Sequence, residues 1–194
     1  MIIGEPTNNE IINASKGLIE FNISFKGIPS HSSRPEEGIN AIDKCVDFIN
    51  KLNDFYKELK TETIDSKCAT MNIGMINGGR SINIVADSCN VLIDFRTISK
   101  KQNEKIIKKV KELLNDTSYE IINNINPFSN NNEKVNMSDF ITEASFIESE
   151  NKYILGVGPI NAHKKDEFIT LLSLNKLEEQ YIKIIKEKIK ENDI

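Results

Sequence analysis

Two residues with metal-ligand chemistry lie near opposite ends of the sequence. Glu5 occurs in Gly-Glu-Pro-Thr, and His163 occurs in Ala-His-Lys-Lys-Asp-Glu. A carboxylate and a neutral imidazole both bind zinc, and the proline that follows Glu5 favours an extended backbone at that residue. If the two ends of the chain meet in space, Glu5 and His163 form two corners of a metal site. The competing interpretation of His163 is a surface histidine at a helix start.

Four further side chains could take part in binding or catalysis. His31 lies in Ser-His-Ser-Ser, where an imidazole can donate a hydrogen bond to an oxyanion and where the hydroxyls can equally cap the next helix. Asn83 follows a Gly-Gly-Arg turn, and Arg96 closes Asp-Phe-Arg, which suits either a structural ion pair or a fork for a substrate carboxylate. Glu143 either supports the site and its substrate or begins a helix, where the dipole favours an acid.

Hydrophobic periodicity predicts the α+β framework that must position these residues. Alternating apolar residues predict strands over about 16–26, 69–76, 82–96 and 118–125, and a helical spacing predicts helices over about 38–59 and 101–115. The length of the third strand predicts a bend or bulge near Asp87 and Ser88. The order β-α-β-β-α-β predicts a ferredoxin-like fold, in which two helices pack on one face of a four-stranded antiparallel sheet.

The remainder of the sequence predicts a second kind of structure. An Asn-rich stretch at 123–136 predicts a linker, 153–158 a buried strand that runs into a glycine loop, and 177–189 a terminal amphipathic helix. One strand and one helix cannot bury their own faces, so their parent sheet is expected to lie outside this chain. The expected domains are a catalytic-domain remnant at 1–15, a dimerisation or lid domain at 16–125, and a further part of the catalytic domain at 126–194.

Composition excludes several classes of function. The 194 residues carry a net charge of −4, which offers no electrostatic footprint for nucleic acid. Apolar runs are too short to cross a membrane, and the start lacks the pattern of a signal peptide. Three widely spaced cysteines without a C-x-x-C arrangement predict reduced thiols, and hence a cytoplasmic protein.

The order of these short motifs resembles one known family. The motifs are Gly4–Thr7, Lys16–Gly17, Gly27–Ser33, Gly38–Ile42, Asn72–Gly74 with Gly78–Gly79, Asn83–Val85, Asp94–Arg96, and Ala162–His163 with Asp166–Glu167. Together they resemble the acetylornithine deacetylase, succinyl-diaminopimelate desuccinylase and aminoacylase family of zinc amidohydrolases. The stretches 142–147 and 155–161 are most similar to the acetylornithine deacetylase branch.

The resemblance implies a role for each candidate residue. Glu5 and His163 correspond to terminal ligands of a two-zinc site, in which cobalt or manganese can replace zinc. His31 corresponds to a lid histidine that reaches the partner subunit's active site and supports the oxyanion. Asn83 and Arg96 correspond to lid positions that hold the substrate carboxylate. The family implies a homodimer formed through the lid, and a small N-acyl amino acid such as N-acetylornithine as substrate.

The sequence also departs from the family. The family's first half, with its His-x-Asp ligand pair, bridging Asp and Glu-Glu pair that includes the general base, has no counterpart here. The sequence therefore predicts a fragment of a zinc amidohydrolase that binds metal poorly and is inactive alone, unless another polypeptide supplies the rest. The alternatives are a truncated lid domain that only dimerises, and the C-terminal part of a desuccinylase or related metallopeptidase. The short stretch 126–140 leaves the packing of Glu143 open.

Overall fold

The computed structural model describes residues 1–115, 117–130, 134–149, 151–158 and 164–192. The chain divides into two units. The central unit comprises Lys16–Phe128 and Asp139–Ile141, and the terminal unit comprises Met1–Ser15, Ser129–Ser138 and Thr142–Ile194. No helix among the described residues is long and apolar enough to cross a membrane.

Within the described residues the elements follow in a simple order. The strands are β1 (Ile2–Ile3), β2 (Ala14–Ser15), β3 (Gly17–Lys26), β4 (Thr70–Gly78), β5 (Ser88–Thr97), β6 (Ser118–Ile125), β7 (Phe128–Ser129), β8 (Met137–Ser138) and β9 (Tyr153–Ile154). The helices are α1 (Ala41–Leu59), α2 (Lys100–Leu114) and α3 (Leu171–Asn192), with short 3-10 turns at Pro35–Glu37 and Glu143–Ser145.

The central unit contains the predicted antiparallel sheet, in the order β4-β5-β3-β6. Alternate residues of β3 and β5 meet the apolar faces of α1 and α2 in one core. The largest fully buried side chains of that core include Phe21, Phe95, Ile19 and Leu52. Strands alternate sides with a period of two, so the opposite face of the sheet carries Glu20, Asn22 and Asp94. The prediction of a ferredoxin-like α+β fold is confirmed.

The third predicted strand begins later than its hydrophobic pattern suggested. Residues 82–87 form a turn and a loop, and β5 starts only at Ser88. Val85 donates its N–H to the carbonyl of Ser30 at 3.0 Å, and Ala86 accepts from the N–H of Ala41 at 2.8 Å. The apolar residues at 85–86 are therefore buried by the loop before α1 rather than by strand neighbours.

The chain bends at Asp87, directly before β5, in agreement with the bend or bulge predicted there. The irregularities in register lie between Ile73 and Met75 in β4, and between Glu20 and Phe21 where β3 pairs with β6. The first of these lies in an edge strand, where a bulge increases the local twist and limits pairing with foreign strands.

The terminal unit supplies its own short sheets. β9 pairs in parallel with β1, and Ile154 also forms an antiparallel bridge with Ile12. The terminal strand thus finds one partner at the start of the chain, in a sheet of two strands, while the expectation of a parent sheet outside the chain stays a prediction. A second sheet has the order β7-β2-β8. Helix α3 begins at Leu171, which is earlier than the apolar spacing predicted.

Candidate functional site

The segment that carries Glu5 is held against the loop after β9. Thr7 Oγ1 accepts a hydrogen bond from the N–H of Gly156 at 3.1 Å and donates to its carbonyl at 3.3 Å. A Cβ on Gly156 would lie 2.2 Å from the carbonyl oxygen of Glu5, so only glycine permits this approach. Two glycine- and threonine-containing motifs thus place Glu5 at a defined position beside the glycine loop.

The structure brings Glu5 together with Glu143. Burial raises the pKa of Glu5 above the ordinary glutamate value, and the negative charge of Glu143 and a hydrogen bond to its side chain raise it further. Two carboxylates close together repel each other, and a proton or a cation between them would relieve that repulsion. The pair lies entirely within the terminal unit.

A lysine that the sequence did not single out supports the turn that carries Glu143. Thr142 Oγ1 accepts from the N–H of Ala144 at 3.2 Å and caps the 3-10 turn. Lys152 Nζ then donates to the carbonyls of Ala144 at 2.8 Å and Ile147 at 3.0 Å. Burial lowers the pKa of Lys152. In the sequence, Lys152 could have been noticed because it stands directly before the buried strand β9, where a lysine is unusual.

The carboxylates of Glu5 and Glu143 could supply some of the ligands of a metal ion. A divalent cation between Glu5 and Glu143 would relieve the repulsion of two carboxylates, and both supply the oxygen donors that zinc accepts. His163 lies outside the described residues. Among the described residues no group of three histidine, cysteine, aspartate or glutamate side chains is placed to hold a metal. The described part of the chain therefore supplies part of a ligand set.

His31 lies at the end of the sheet where β3 finishes. Its Nδ1 receives the backbone N–H of Ser33 at 3.2 Å and lies 2.8 Å from the Ser33 hydroxyl. A backbone N–H can only donate, so Nδ1 accepts and the hydrogen-bond network assigns the ring proton to Nε2. The side chain is exposed. Its Nε2–H can therefore donate to a group outside the chain.

Asn83 lies beside His31 because the two loops bind each other. The carbonyl of Asn83 accepts from the N–H of Ser32 at 3.0 Å, and His31 forms a β-bridge with Ile84. Ser81 Oγ donates to Asn83 Oδ1 at 2.5 Å, which orients the amide. The structure thus confines His31 and Asn83 to one end of the sheet.

Arg96 lies at the other end of the same sheet. Its Nε and Nη2 donate to the two carboxylate oxygens of Asp94 at 3.0 and 2.9 Å, which is a bidentate pair on the face away from the helices. Eight residues of β5 separate Arg96 from Ser88, a rise of roughly 27 Å at about 3.4 Å per residue. Arg96 and the His31–Asn83 loops of one chain therefore cannot hold the same small molecule.

The fold corresponds to a known class of domain. Residues 13–121 match the peptidase dimerisation domain of the M20 peptidases. That match spans more than half of the chain, so this protein belongs to the M20 peptidase family, whose members are hydrolases and generally depend on a metal.

Individual relatives agree with this assignment. An acetylornithine deacetylase of Buchnera aphidicola subsp. Acyrthosiphon pisum is 30% identical, over 87% of this chain and 52% of its own. A probable succinyl-diaminopimelate desuccinylase of Staphylococcus epidermidis is 29% identical, over 87% of this chain and 55% of its own. The chain therefore spans about half the length of the curated relatives it matches.

Solved structures share the fold at low identity. A tripeptidase from Staphylococcus aureus subsp. aureus Mu50 superposes with a TM-score of 0.73 at 22% identity, over 94% of this chain and 54% of that one. The aminopeptidase PepT from Bacillus cereus ATCC 10987 has a TM-score of 0.69 at 20% identity, over 90% and 52% of the two chains. Both superpositions extend over most of this chain and cover about half of the neighbour.

Proposed function

We propose that this chain provides the lid and part of the metal-binding domain of an amidohydrolase that removes the acyl group from a small N-acyl amino acid. The observation that carries the proposal is the contact between Glu5 and Glu143, two carboxyl groups 138 positions apart that converge on one loop of the terminal unit. Such a pair costs stability and is therefore a hallmark of a site that binds a cation or a proton.

Glu5 and His163 would hold the metal ion, and Glu143 would line its site on the substrate side. The ion is zinc in this proposal, with cobalt or manganese as substitutes and two ions in a complete site. When bound, it would polarise the amide carbonyl and lower the pKa of a water molecule. The chain's own part is to position the residues that carry the metal ligands. The Thr7–Gly156 and Lys152 contacts hold the backbone beside them.

His31 would stabilise the oxyanion in the active site of a partner subunit. Its exposed Nε2–H points to a role outside its own chain, and Ser33 fixes the tautomer that donates. Asn83, beside His31, and Arg96 would help to hold the substrate carboxylate. The separation of these groups along β5 supports a homodimer, because one substrate then touches two subunits.

The favoured substrate is N-acetylornithine, with succinyl-diaminopimelate next. This order follows the names of the relatives, and the second Glu of the site offers an acid for a basic side chain. Three free cysteines among the described residues support a reducing compartment, which is the cytoplasm in this proposal.

A second candidate function is a lid that dimerises without catalysis. It is favoured by the match to the dimerisation domain alone and by the incomplete ligand set of the described residues. Light scattering after size exclusion tests this role. A dimer at tens of micromolar without bound metal supports it, and a strict monomer contradicts both candidates.

The catalytic proposal is tested by supplying the rest of the enzyme. The chain is mixed with the part of the Buchnera acetylornithine deacetylase that lies outside the match, and zinc content and N-acetylornithine hydrolysis are measured. We expect the chain alone to be inactive and the mixture to hold near-stoichiometric zinc and to cleave the substrate. Hydrolysis by the isolated chain that a chelator abolishes, or a mixture without metal and activity, contradicts the proposal.

A further inference from the structure

The edge strand β4 of the central sheet contains an inserted residue. Ile73 lies opposite Ile93 of β5 and Met75 lies opposite Leu92, so Gly74 is an extra residue in β4. Side chains alternate between the two faces of a strand, and an insertion reverses the alternation beyond it. Met75 therefore lies on the same face as Leu92, called here the outer face, which points away from α1 and α2. Met75 is 59% exposed there.

The opposite edge strand, β6, contains an inserted residue at the same level. Glu20 of β3 lies opposite Asn123, and the next residue, Phe21, lies opposite Ile121, so Ile122 is the extra residue. Ile122 is 48% exposed. The stretch of β3 at Glu20 and Phe21 pairs with the stretch of β5 that faces the insertion in β4. The two bulges therefore flank the same place in the sheet.

A pocket lies between the two bulges on the outer face, and it is called here the bulge pocket. It encloses about 240 Å³. Pockets for drug-sized ligands enclose roughly 300–1,000 Å³, so the bulge pocket suits a molecule with few heavy atoms. Bulges commonly re-aim side chains beside binding sites, and here they bring apolar side chains next to two carboxyl groups. The lining residues on this face are Glu20, Gly74, Met75, Leu92, Asp94 and Ile122.

The polar groups around the bulge pocket favour a cation. Both carboxylate oxygens of Asp94 accept hydrogen bonds from Arg96, which neutralises that charge locally. Glu20 accepts from the amide of Asn123 at 2.5 Å, which leaves its charge unneutralised and leaves it further acceptor capacity. Asn22, two residues further along the outer face of β3, has a buried Oδ1 without a hydrogen-bond partner among the described residues. This unpaired carbonyl dipole adds to the negative potential of Glu20.

The charge and the apolar lining together specify the chemistry of the ligand. An alkyl chain would pack on Met75, Leu92 and Ile122, as the stem of a lysine packs on apolar surface, and an ammonium group at its end would donate to Glu20. A carboxylate in the same place would be repelled by Glu20. A neutral alcohol would gain the apolar contact and only a weaker hydrogen bond.

We propose that the bulge pocket binds a small linear primary alkylammonium ion. The proposal goes beyond the proposed hydrolysis and does not require it, so it can stand if that reaction is not found. Short diamines and free basic amino acids both carry such a chain, and their titration distinguishes the two sources.

Methyl NMR measures this binding directly on the full chain. The chain contains four methionines, of which Met75 lines the pocket, Met71 packs against the core and Met137 lies in the terminal unit. With isotope-labelled methionine methyl groups and n-pentylammonium as the probe at neutral pH, we expect the Met75 signal to shift to saturation with a Kd of about 1 mM, the weak affinity of so small a ligand. The Met137 signal should stay in place, and Met75→Leu assigns the shifting signal.

Three variants test the lining of the pocket. Glu20→Gln removes the charge at nearly constant size, and we expect binding to weaken at least about tenfold. Glu112→Gln makes the same change on an exposed position of α2, in the helix layer, and should bind like wild type. Gly74→Val should fill the pocket and abolish binding, because a Cβ at Gly74 would meet only the Asn72 side chain at 3.6 Å and leaves the strand unstrained.

Diaminopentane and free lysine are titrated in parallel with pentanoate and pentanol. We expect pentanoate and pentanol to bind at least about tenfold more weakly than n-pentylammonium, because neither forms an ion pair with Glu20. The diamine should bind more tightly than lysine, whose carboxylate Glu20 repels. Binding of either natural compound supports the proposal, and their order identifies the source.

Three outcomes would overturn the proposal. They are a Met75 signal that does not saturate up to about 20 mM probe, a pentanol affinity equal to that of n-pentylammonium, and an equal loss of binding in Glu20→Gln and Glu112→Gln. The second outcome would reduce the pocket to an apolar patch, and the third would reduce the effect to overall charge. If urea unfolding shows that Gly74→Val does not fold, the comparison of the two glutamate variants decides.

Discussion

The contact between Glu5 and Glu143 is the side-chain feature with the clearest chemical consequence. Different hydrogen bonds hold the two segments. The Thr7–Gly156 contact holds the segment of Glu5, and Lys152 supports the turn that carries Glu143. These hydrogen bonds hold the backbone beside each carboxyl group. A proton or a cation between the two carboxyl groups would relieve their repulsion.

The raised pKa of Glu5 predicts how stability depends on pH. Above the ordinary value of 4.5 the unfolded chain releases the Glu5 proton while the folded chain retains it, so the stability of the metal-free protein falls as pH rises through that window. We expect Glu5→Gln to remove this loss and to be more stable than wild type at neutral pH. Urea unfolding in chelator at several pH values measures it, with Glu10→Gln as the exposed control.

If Glu5→Gln and wild type lose stability in parallel over this pH range, the carboxyl pair is not coupled in solution. Added zinc should reverse the order of the two proteins in the assembled complex, because the metal stabilises the wild-type carboxylates and not the amide.

His31 gives a second prediction for a single side chain. In the complex completed with the remaining half, His31→Ala should lower kcat about a hundredfold with little change in KM, because an oxyanion donor acts mainly in the transition state. Ser33→Ala should have a smaller effect in the same direction, since the hydroxyl lies against Nδ1. Ser32→Ala is the neighbouring control, and an equal loss in that variant would point to disruption of the loop instead.

The secondary-structure elements around the His31 loop depend on a close backbone approach. Gly27 directly follows β3, and a Cβ there would lie 2.1 Å from the carbonyl oxygen of Ile39 and 2.5 Å from that of Ala86. These are backbone atoms, so the loop before α1 and the segment before β5 would both have to shift. One glycine thus determines how three stretches of chain meet below His31.

We therefore expect Gly27→Ala to destabilise the central unit by about 3 kcal/mol, in the range of steric clashes in packed cores. Gly74→Ala is the matched control, because its Cβ would meet only the Asn72 side chain at 3.6 Å, an ordinary contact. Denaturant unfolding measures both variants. Equal stability of the two would show that the loop adapts without cost.

The sequence correctly predicted the elements whose own residues show a clear hydrophobic periodicity. The strong alternation in β3 and the helical spacing in α1 and α2 each reflect one buried face, which is why the order of the elements along the chain could be inferred. Residues 82–87 were misassigned because burial by a loop produces the same apolar pattern as burial in a strand. The contact of Glu5 with Glu143 could not be predicted, because it depends on how distant segments pack.

The whole molecule consists of two units with different degrees of completeness. The central unit has a full core between its sheet and two helices, as expected for a domain that folds alone. The terminal unit has short sheets, a helix with an exposed apolar stripe, and part of a ligand set. The chain spans about half the length of the curated relatives it matches.

The separation of His31 and Arg96 along β5 has a genetic consequence. Suppose that each active centre combines Arg96 of one subunit with His31 of the other. In that case a dimer of one Arg96 variant and one His31 variant contains one active centre with both residues intact. In the complex completed with the remaining half, subunits of His31→Ala and Arg96→Met mixed at random should regain about a quarter of the wild-type turnover, because half of the dimers are hybrids with one intact centre each. Parents that stay equally inactive after mixing would place both groups in a single subunit's centre. If activity returns on mixing, mutant alleles of these two positions complement each other.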